Sequence, residues 1–172
     1  MTNTLDPYII TALEMGAEDA IRVTIDQIAF DSRTYLKCMY GCPGSNCKTL
    51  CASQPGRIKP WEYEDMLKRY EYGLLLHFKP NKARIAQATT LAIESKAFVD
   101  GFYFAFSLCD CDLCDACLRF RGMECVHPAK VRPSMHSAGI DVFKTVRRLG
   151  LPIETLSSPE EEKNAYSIVF FE

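Results

Sequence analysis

Apolar and polar positions along the chain predict strands of two kinds. Residues 20–25 alternate, with Ile21, Val23 and Ile25 apolar, which is typical of a half-buried strand. Residues 28–37 are expected to continue it as a second strand. Continuous apolar runs instead indicate strands that are buried on both faces. Such runs occupy 74–76 and 102–108, and a final strand is predicted over 165–171.

Four further segments have the spacing of a helix. Between residues 82 and 98, Ala86, Thr90, Ile93 and Ala97 recur at intervals of four, three and four residues, which places them on one helix face. A proline at position 60 suits the first turn of a helix. The predicted helices cover 6–16, 60–69, 82–98 and 139–149.

The order of these elements predicts an α/β protein. Strands alternate with helices, which argues for a single-domain sandwich with a mixed or mostly parallel sheet. We expect one domain over residues 1–172, since this length suits a single core. Two cysteine-rich loops, 38–59 and 109–133, each follow a predicted strand. Because ligands in open α/β sheets bind outside the carboxyl ends of strands, we expect both loops at the same edge of the sheet.

Composition excludes several classes of function. A net charge of −2 gives no electrostatic footprint for nucleic acid. No apolar run reaches the roughly 18 residues of a membrane span. The first residues lack the basic and apolar regions of a secretory signal, so we expect a cytoplasmic protein in a reducing compartment.

The nine cysteines fall into two clusters separated by 57 residues that contain none. The first cluster spans 14 residues and contains Cys38, Cys42, Cys47 and Cys51. The second spans 17 residues and contains Cys109, Cys111, Cys114, Cys117 and Cys125. In a reducing compartment such density indicates metal or redox chemistry more often than disulfides, and an odd count fits poorly with complete pairing.

The second cluster favours an iron–sulfur centre over zinc. Cys111, Cys114 and Cys117 are each separated by two residues, and Cys125 follows after seven more. A tetrahedral zinc site takes one C-x2-C pair from each of two knuckles, so the third cysteine is superfluous there. A 4Fe-4S cluster takes three closely spaced thiolates and a remote fourth. The run resembles the bacterial ferredoxin motif in part, because Val126 follows Cys125 where ferredoxins have proline.

The first cluster has no C-x2-C pair, which also weakens zinc, and its four thiolates suffice for a second 4Fe-4S cluster. Zinc and mixed metal sites remain alternatives. Residues 37–59 carry a charge of +4, whereas 109–117 carry −3. Because net charge near a cluster influences its potential, we expect the cluster on the second loop to have the lower potential.

These motifs together resemble a prokaryotic family of predicted metal-binding proteins that is classed as a domain of unknown function. The resemblance covers about 38–172. It rests on the segments 40–44, 132–135 and 139–143, on Cys51, on the Cys111, Cys114, Cys117 run and on Cys125-x-His127-Pro128. It implies a cytoplasmic protein with a cysteine-ligated metal, and it supplies no reaction. Cys47 and Cys109 lie outside the family pattern, so the ligand role of Cys47 and replacement by Cys109 stay open.

Five other residues are candidates for smaller roles. His77 lies in an apolar run and is interpreted as a core histidine. His127 is interpreted as ordering its loop, with a ligand role as the alternative. Ser134 is expected to cap the following turn. Arg132 is a candidate donor to cluster sulfur or to a partner. Cys109 is interpreted as a core residue at a strand end, with an alternative ligand or a reactive thiol left open.

The sequence therefore predicts an iron–sulfur protein with two 4Fe-4S clusters that acts as an electron carrier or accessory redox subunit for a protein partner. Complete cysteine ligation leaves no open iron for a substrate, and no common nucleotide or hydrolase motif is present. The alternatives are an iron–sulfur enzyme or activator with an open cluster site and a structural zinc protein. The proposed ligands are Cys38, Cys42, Cys47, Cys51, Cys111, Cys114, Cys117 and Cys125.

Overall fold

The computed structural model describes residues 5–40, 52, 54, 56–118, 123–158, 161 and 163–171. Five α-helices lie within these ranges: α1 (Asp6–Glu14), α2 (Thr34–Tyr40), α3 (Pro60–Leu67), α4 (Ala83–Val99) and α5 (Val142–Arg148). The strands are β1 (Asp19–Thr24), β2 (Tyr72–Phe78), β3 (Phe106–Leu108) and β4 (Ala165–Phe171). No helix in this part of the chain is long and apolar enough to cross a membrane.

The sheet has the strand order β1-β2-β4-β3, and every neighbouring pair is antiparallel. The expectation of a mixed or mostly parallel sheet is therefore wrong. Because β2 and β3 are both antiparallel to β4, they run parallel to each other, as their helical connection through α4 predicts. The C-terminal strand β4 lies between them, so no parallel pair forms. A continuous apolar run indicates that a strand is buried on both faces. It does not indicate whether the neighbouring strand is parallel or antiparallel.

Helices cover both faces of the sheet. Alternate residues of β2 and β4 point to opposite sides, so Leu74 and Val169 belong to one apolar core whereas Leu75 and Ile168 belong to the other. Helices α1 and α4 pack on the first side, and α3 and α5 contribute to the second. This arrangement explains why the central strands lack polar alternation.

Two other expectations about strands need correction. The strand predicted over 28–37 does not form: a 3-10 turn occupies Ile25–Gln27, and α2 begins at Thr34. The Asp31 carboxylate accepts a hydrogen bond from the backbone N–H of Arg33, and this local turn leads into the helix. The strand predicted over 102–108 is confined to β3. The first cysteine cluster therefore begins in a helix, with Cys38, and does not follow a strand.

Candidate metal site

The second cysteine loop begins directly at the carboxyl end of β3. The backbone N–H of Cys109 donates to the carbonyl of Pro133 at 3.0 Å, so the two ends of the loop lie side by side. The Cys109 side chain is buried, and this burial raises the pKa of its thiol to about 12. The structure thus agrees with Cys109 as a core residue at a strand end.

Three cysteines of this loop act electrostatically on a fourth, Cys114. Burial raises the pKa of the Cys114 thiol, and the charges of Cys117, Cys111 and Cys125 raise it further. Each of these three cysteines therefore lies within electrostatic range of Cys114. In addition, the backbone N–H of His127 donates to Cys125 Sγ at 3.3 Å. These are the four cysteines that the spacing assigns to one centre.

Within the described ranges, no three His, Cys, Asp or Glu side chains lie close enough together to hold a single metal ion. A tetrahedral zinc ion bound by thiolates at about 2.3 Å requires sulfurs roughly 3.8 Å apart. A 4Fe-4S cluster binds each thiolate to a different iron and so spreads the sulfurs more widely. The donor set of the second loop, four thiols, is of a kind that both groups take.

Helix α4 holds the first limb of this loop. The Gln87 Oε1 atom accepts a hydrogen bond of 2.6 Å from the backbone N–H of Asp112. Arg84 Nη2 lies 2.7 Å from Asp115 Oδ1, and Arg84 Nε donates to the carbonyl of Asp112 at 3.2 Å. The Arg84 charge also lowers the pKa of Cys114. The backbone of Asp112 and the carboxylate of Asp115, on the two sides of Cys114, are thus attached to the first two turns of the helix.

The same helix holds the second limb. Gln87 Nε2 donates to the carbonyl of Lys130 at 3.4 Å. Farther along α4, the Glu94 carboxylate accepts hydrogen bonds from Arg132 and from the backbone N–H of Ser107. Arg132 is thus held by a carboxylate, and it does not contact Cys125, whose sulfur accepts from the backbone N–H of His127.

A cleft of about 1000 Å³ opens beside the loop, where β2 and β3 end and β4 begins. Cys111 and His136 are among its lining residues. Burial lowers the pKa of His136, the charges of Asp110 and Asp141 oppose this effect, and the charge of Lys37 adds to it. Lys37 precedes Cys38 in α2, so charges from the start of the first cysteine cluster and from the second loop both act on the His136 imidazole.

Contacts of Lys59 join described residues that flank the first cysteine cluster. Cys38 is buried in α2. The Lys59 ammonium lies 5.3 Å from the centre of the Tyr35 ring in that helix, and it also donates to the carbonyl of Ala52 at 2.6 Å. Residues on either side of the cluster are therefore joined through Lys59. Cys42, Cys47 and Cys51 lie outside the described residues.

The remaining candidates have structural roles. The His77 ring is buried, with Nδ1 2.7 Å from Asp19 Oδ2 and Nε2 3.0 Å from Asn164 Oδ1. It also stacks on Tyr166. Ser134 Oγ accepts a hydrogen bond from the backbone N–H of Ser137, as expected for a cap of the following turn.

Sequence reasoning missed the supporting residues on α4 and His136. Arg84, Gln87 and Glu94 are polar residues of an amphipathic helix, and that pattern ordinarily indicates a face in water. Their partners lie 13–43 positions away in the chain, so local spacing contains no sign of the contacts.

The comparisons with known proteins give one match. A family described as predicted metal-binding protein (DUF2284) matches residues 22–171. No curated protein and no solved structure matches the chain significantly.

Proposed function

Because the chain belongs to this family of predicted metal-binding proteins, we propose that it is an iron–sulfur protein that carries two 4Fe-4S clusters. The observation that carries the proposal is the spacing of Cys111, Cys114, Cys117 and Cys125 on one loop, whose two ends are joined by the hydrogen bond from the N–H of Cys109 to the carbonyl of Pro133. The family gives metal binding, and the thiols of the second loop supply ligands of the kind that iron–sulfur clusters take.

The arrangement of the second loop supports a cluster over a structural zinc ion. Its cysteines provide three closely spaced thiolates and a remote fourth, whereas a zinc site takes one C-x2-C pair from each of two knuckles. The N–H of His127 that points to Cys125 Sγ is the kind of hydrogen bond that tunes cluster potential. When bound, the cluster would supply one-electron redox chemistry, and the chain would hold it through thiolates and backbone donors.

A second cluster would be held by Cys38, Cys42, Cys47 and Cys51. The contacts of Lys59 with Tyr35 and Ala52 join described residues that precede and follow this cluster in the chain. We propose that the centre on the first loop has the higher potential, because residues 37–59 carry +4 and residues 109–117 carry −3.

Electron transfer to a protein partner in the cytoplasm is the activity that we propose. All-cysteine ligation leaves no iron open to substrate, and the sulfurs of the second loop lie near the surface, where Cys111 is exposed. The cleft beside Cys111 favours one second candidate, an enzyme or activator in which a small molecule binds next to the cluster. A cluster with three protein ligands would mark that case.

Anaerobic purification tests the proposal. We expect a brown protein with broad absorbance near 400 nm and about eight irons per chain, the content of two 4Fe-4S clusters. Cys114→Ala should remove about half of the iron. Cys109→Ala is the matched control, because it removes a buried thiol of the same loop that the proposal leaves out of the ligand set. A colourless protein that takes up zinc but no iron after anaerobic reconstitution would refute the proposal.

A further inference from the structure

The side chain of Gln87 joins the two limbs of the second cysteine loop. The side chain is completely buried, although its amide group is polar. Its oxygen accepts from the N–H of Asp112, and its nitrogen donates to the carbonyl of Lys130. The amide therefore makes both hydrogen bonds only when both limbs lie in place. Displacement of either limb would leave a buried polar group unpaired, which is costly.

Arg84 lies one turn before Gln87 on α4 and approaches the same limb from the solvent side. Its guanidinium pairs with Asp115 and also donates to the carbonyl of Asp112. Its charge acts on Cys114, which lies between these two residues in the chain. Arg84 thus combines a fixed position with a positive charge beside a proposed ligand.

We propose that Gln87 and Arg84 are positioning residues of the metal centre on the second loop: Gln87 holds the backbone that carries the thiols, and Arg84 raises the reduction potential of the centre. This inference rests on the proposed function. Reduction adds a negative charge to a cluster that thiolates surround, so a nearby guanidinium stabilises the reduced state. The acidic residues Asp110, Asp112 and Asp115 act in the opposite direction.

The test compares substitutions on one helix. Arg84→Gln removes the positive charge. Arg84→Lys retains the charge but cannot contact both the Asp115 carboxylate and the Asp112 carbonyl as the guanidinium does. Gln87→Met removes both hydrogen bonds and keeps a side chain of similar length. Lys96→Gln is the matched control, because it removes a positive charge and an exposed ion pair with Asp100 from the same helix. Lys96 lies 12 residues beyond Arg84, or roughly 18 Å along the helix axis.

Two measurements are made on each anaerobically reconstituted protein: the midpoint potentials and the rate of iron release to a chelator. We expect Arg84→Gln to lower the midpoint potential of one centre by up to about 59 mV. This shift corresponds to a tenfold change in the equilibrium constant of a one-electron reduction. Arg84→Lys should shift it by less than half as much. Gln87→Met should release iron about tenfold faster from one centre, as loss of a supporting partner does in other metal sites.

The outcomes separate the inference from the proposed function. If wild-type protein loads iron and both Arg84→Gln and Gln87→Met behave as Lys96→Gln does, the inference fails while the proposed function stands. If wild-type protein binds no iron, the proposed function fails, and the Gln87 assignment is judged by Co²⁺ titration of the metal-free protein. Cobalt binding about tenfold weaker in Gln87→Met than in Lys96→Gln then supports the positioning role, and equal or absent binding overturns it.

Discussion

The guanidinium of Arg132 and the carboxylate of Glu94 form a two-point ion pair beneath the second cysteine loop. Arg132 Nε lies 3.0 Å from Glu94 Oε2, and Arg132 Nη2 lies 2.5 Å from Glu94 Oε1. The side chains are only 20% and 13% exposed. Arg132 also donates to the carbonyls of Ala129 and Val131, so the pair fixes the end of the loop on α4.

Replacement of Arg132 should therefore lower the free energy of unfolding. Arg132→Met leaves the Glu94 carboxylate without its cation in a mostly buried site, and we expect the free energy of unfolding to fall by about 3–5 kcal/mol in urea titrations. The double variant Arg132→Met, Glu94→Leu should recover much of this loss, because it leaves no buried charge.

The exposed pair between Lys68 and Glu64 provides the comparison. It joins two more accessible side chains at 2.6 Å, and Lys68→Met should cost less than about 1 kcal/mol. Equal losses for Arg132→Met and Lys68→Met would contradict the importance of the buried pair.

Cys109 should be the least reactive thiol of the second loop. Burial raises the pKa of its thiol to about 12, so at pH 8 only roughly one thiol in ten thousand is ionised, and the thiolate is the nucleophile. In metal-free folded protein, iodoacetamide should modify Cys111, which is exposed, long before Cys109. Mass spectrometry of peptides over time measures both rates, and comparable labelling of the two cysteines would refute the prediction.

Gly139 should tolerate alanine far less well than Gly150. Both have positive φ values, of 85° and 72°, so alanine strains the backbone at either position. An added Cβ at Gly139 would lie 3.0 Å from the carbonyl oxygen of Pro60, whereas at Gly150 it would meet nothing within 4 Å. We expect a loss of about 2–5 kcal/mol for Gly139→Ala and about 1–2 kcal/mol for Gly150→Ala, measured by urea unfolding.

His136 should make stability fall as the pH is lowered. Burial lowers its pKa in the folded protein, so near and below the unfolded value of about 6.5 the unfolded chain binds protons more readily at this residue than the folded chain does. The free energy of unfolding should thus decrease between pH 7.5 and pH 6 because of this residue. His136→Asn should remove that part of the decrease, and an unchanged pH dependence in the variant would be evidence against it.

The elements whose positions the sequence predicts well are those with strong local patterns. The helix expected over 82–98 is α4, and the final strand matches β4. Segment 28–37 is the counterexample. It contains enough apolar residues to suggest a strand, but the Asp31 turn and the burial of Thr34 and Cys38 four residues apart favour a helix. Local propensity was too weak there to decide.

The sequence by itself determined which central strands are buried, because apolar runs are a local property of a chain. From ligand spacing, which is also local, it predicts that Cys111, Cys114, Cys117 and Cys125 bind one metal centre. Only the tertiary structure decided that β4 lies between β2 and β3 and that Gln87 and Glu94 support the cysteine loop. Strand order and side-chain partners depend on contacts between residues far apart in sequence. These contacts form only in the folded chain, so local patterns do not predict them.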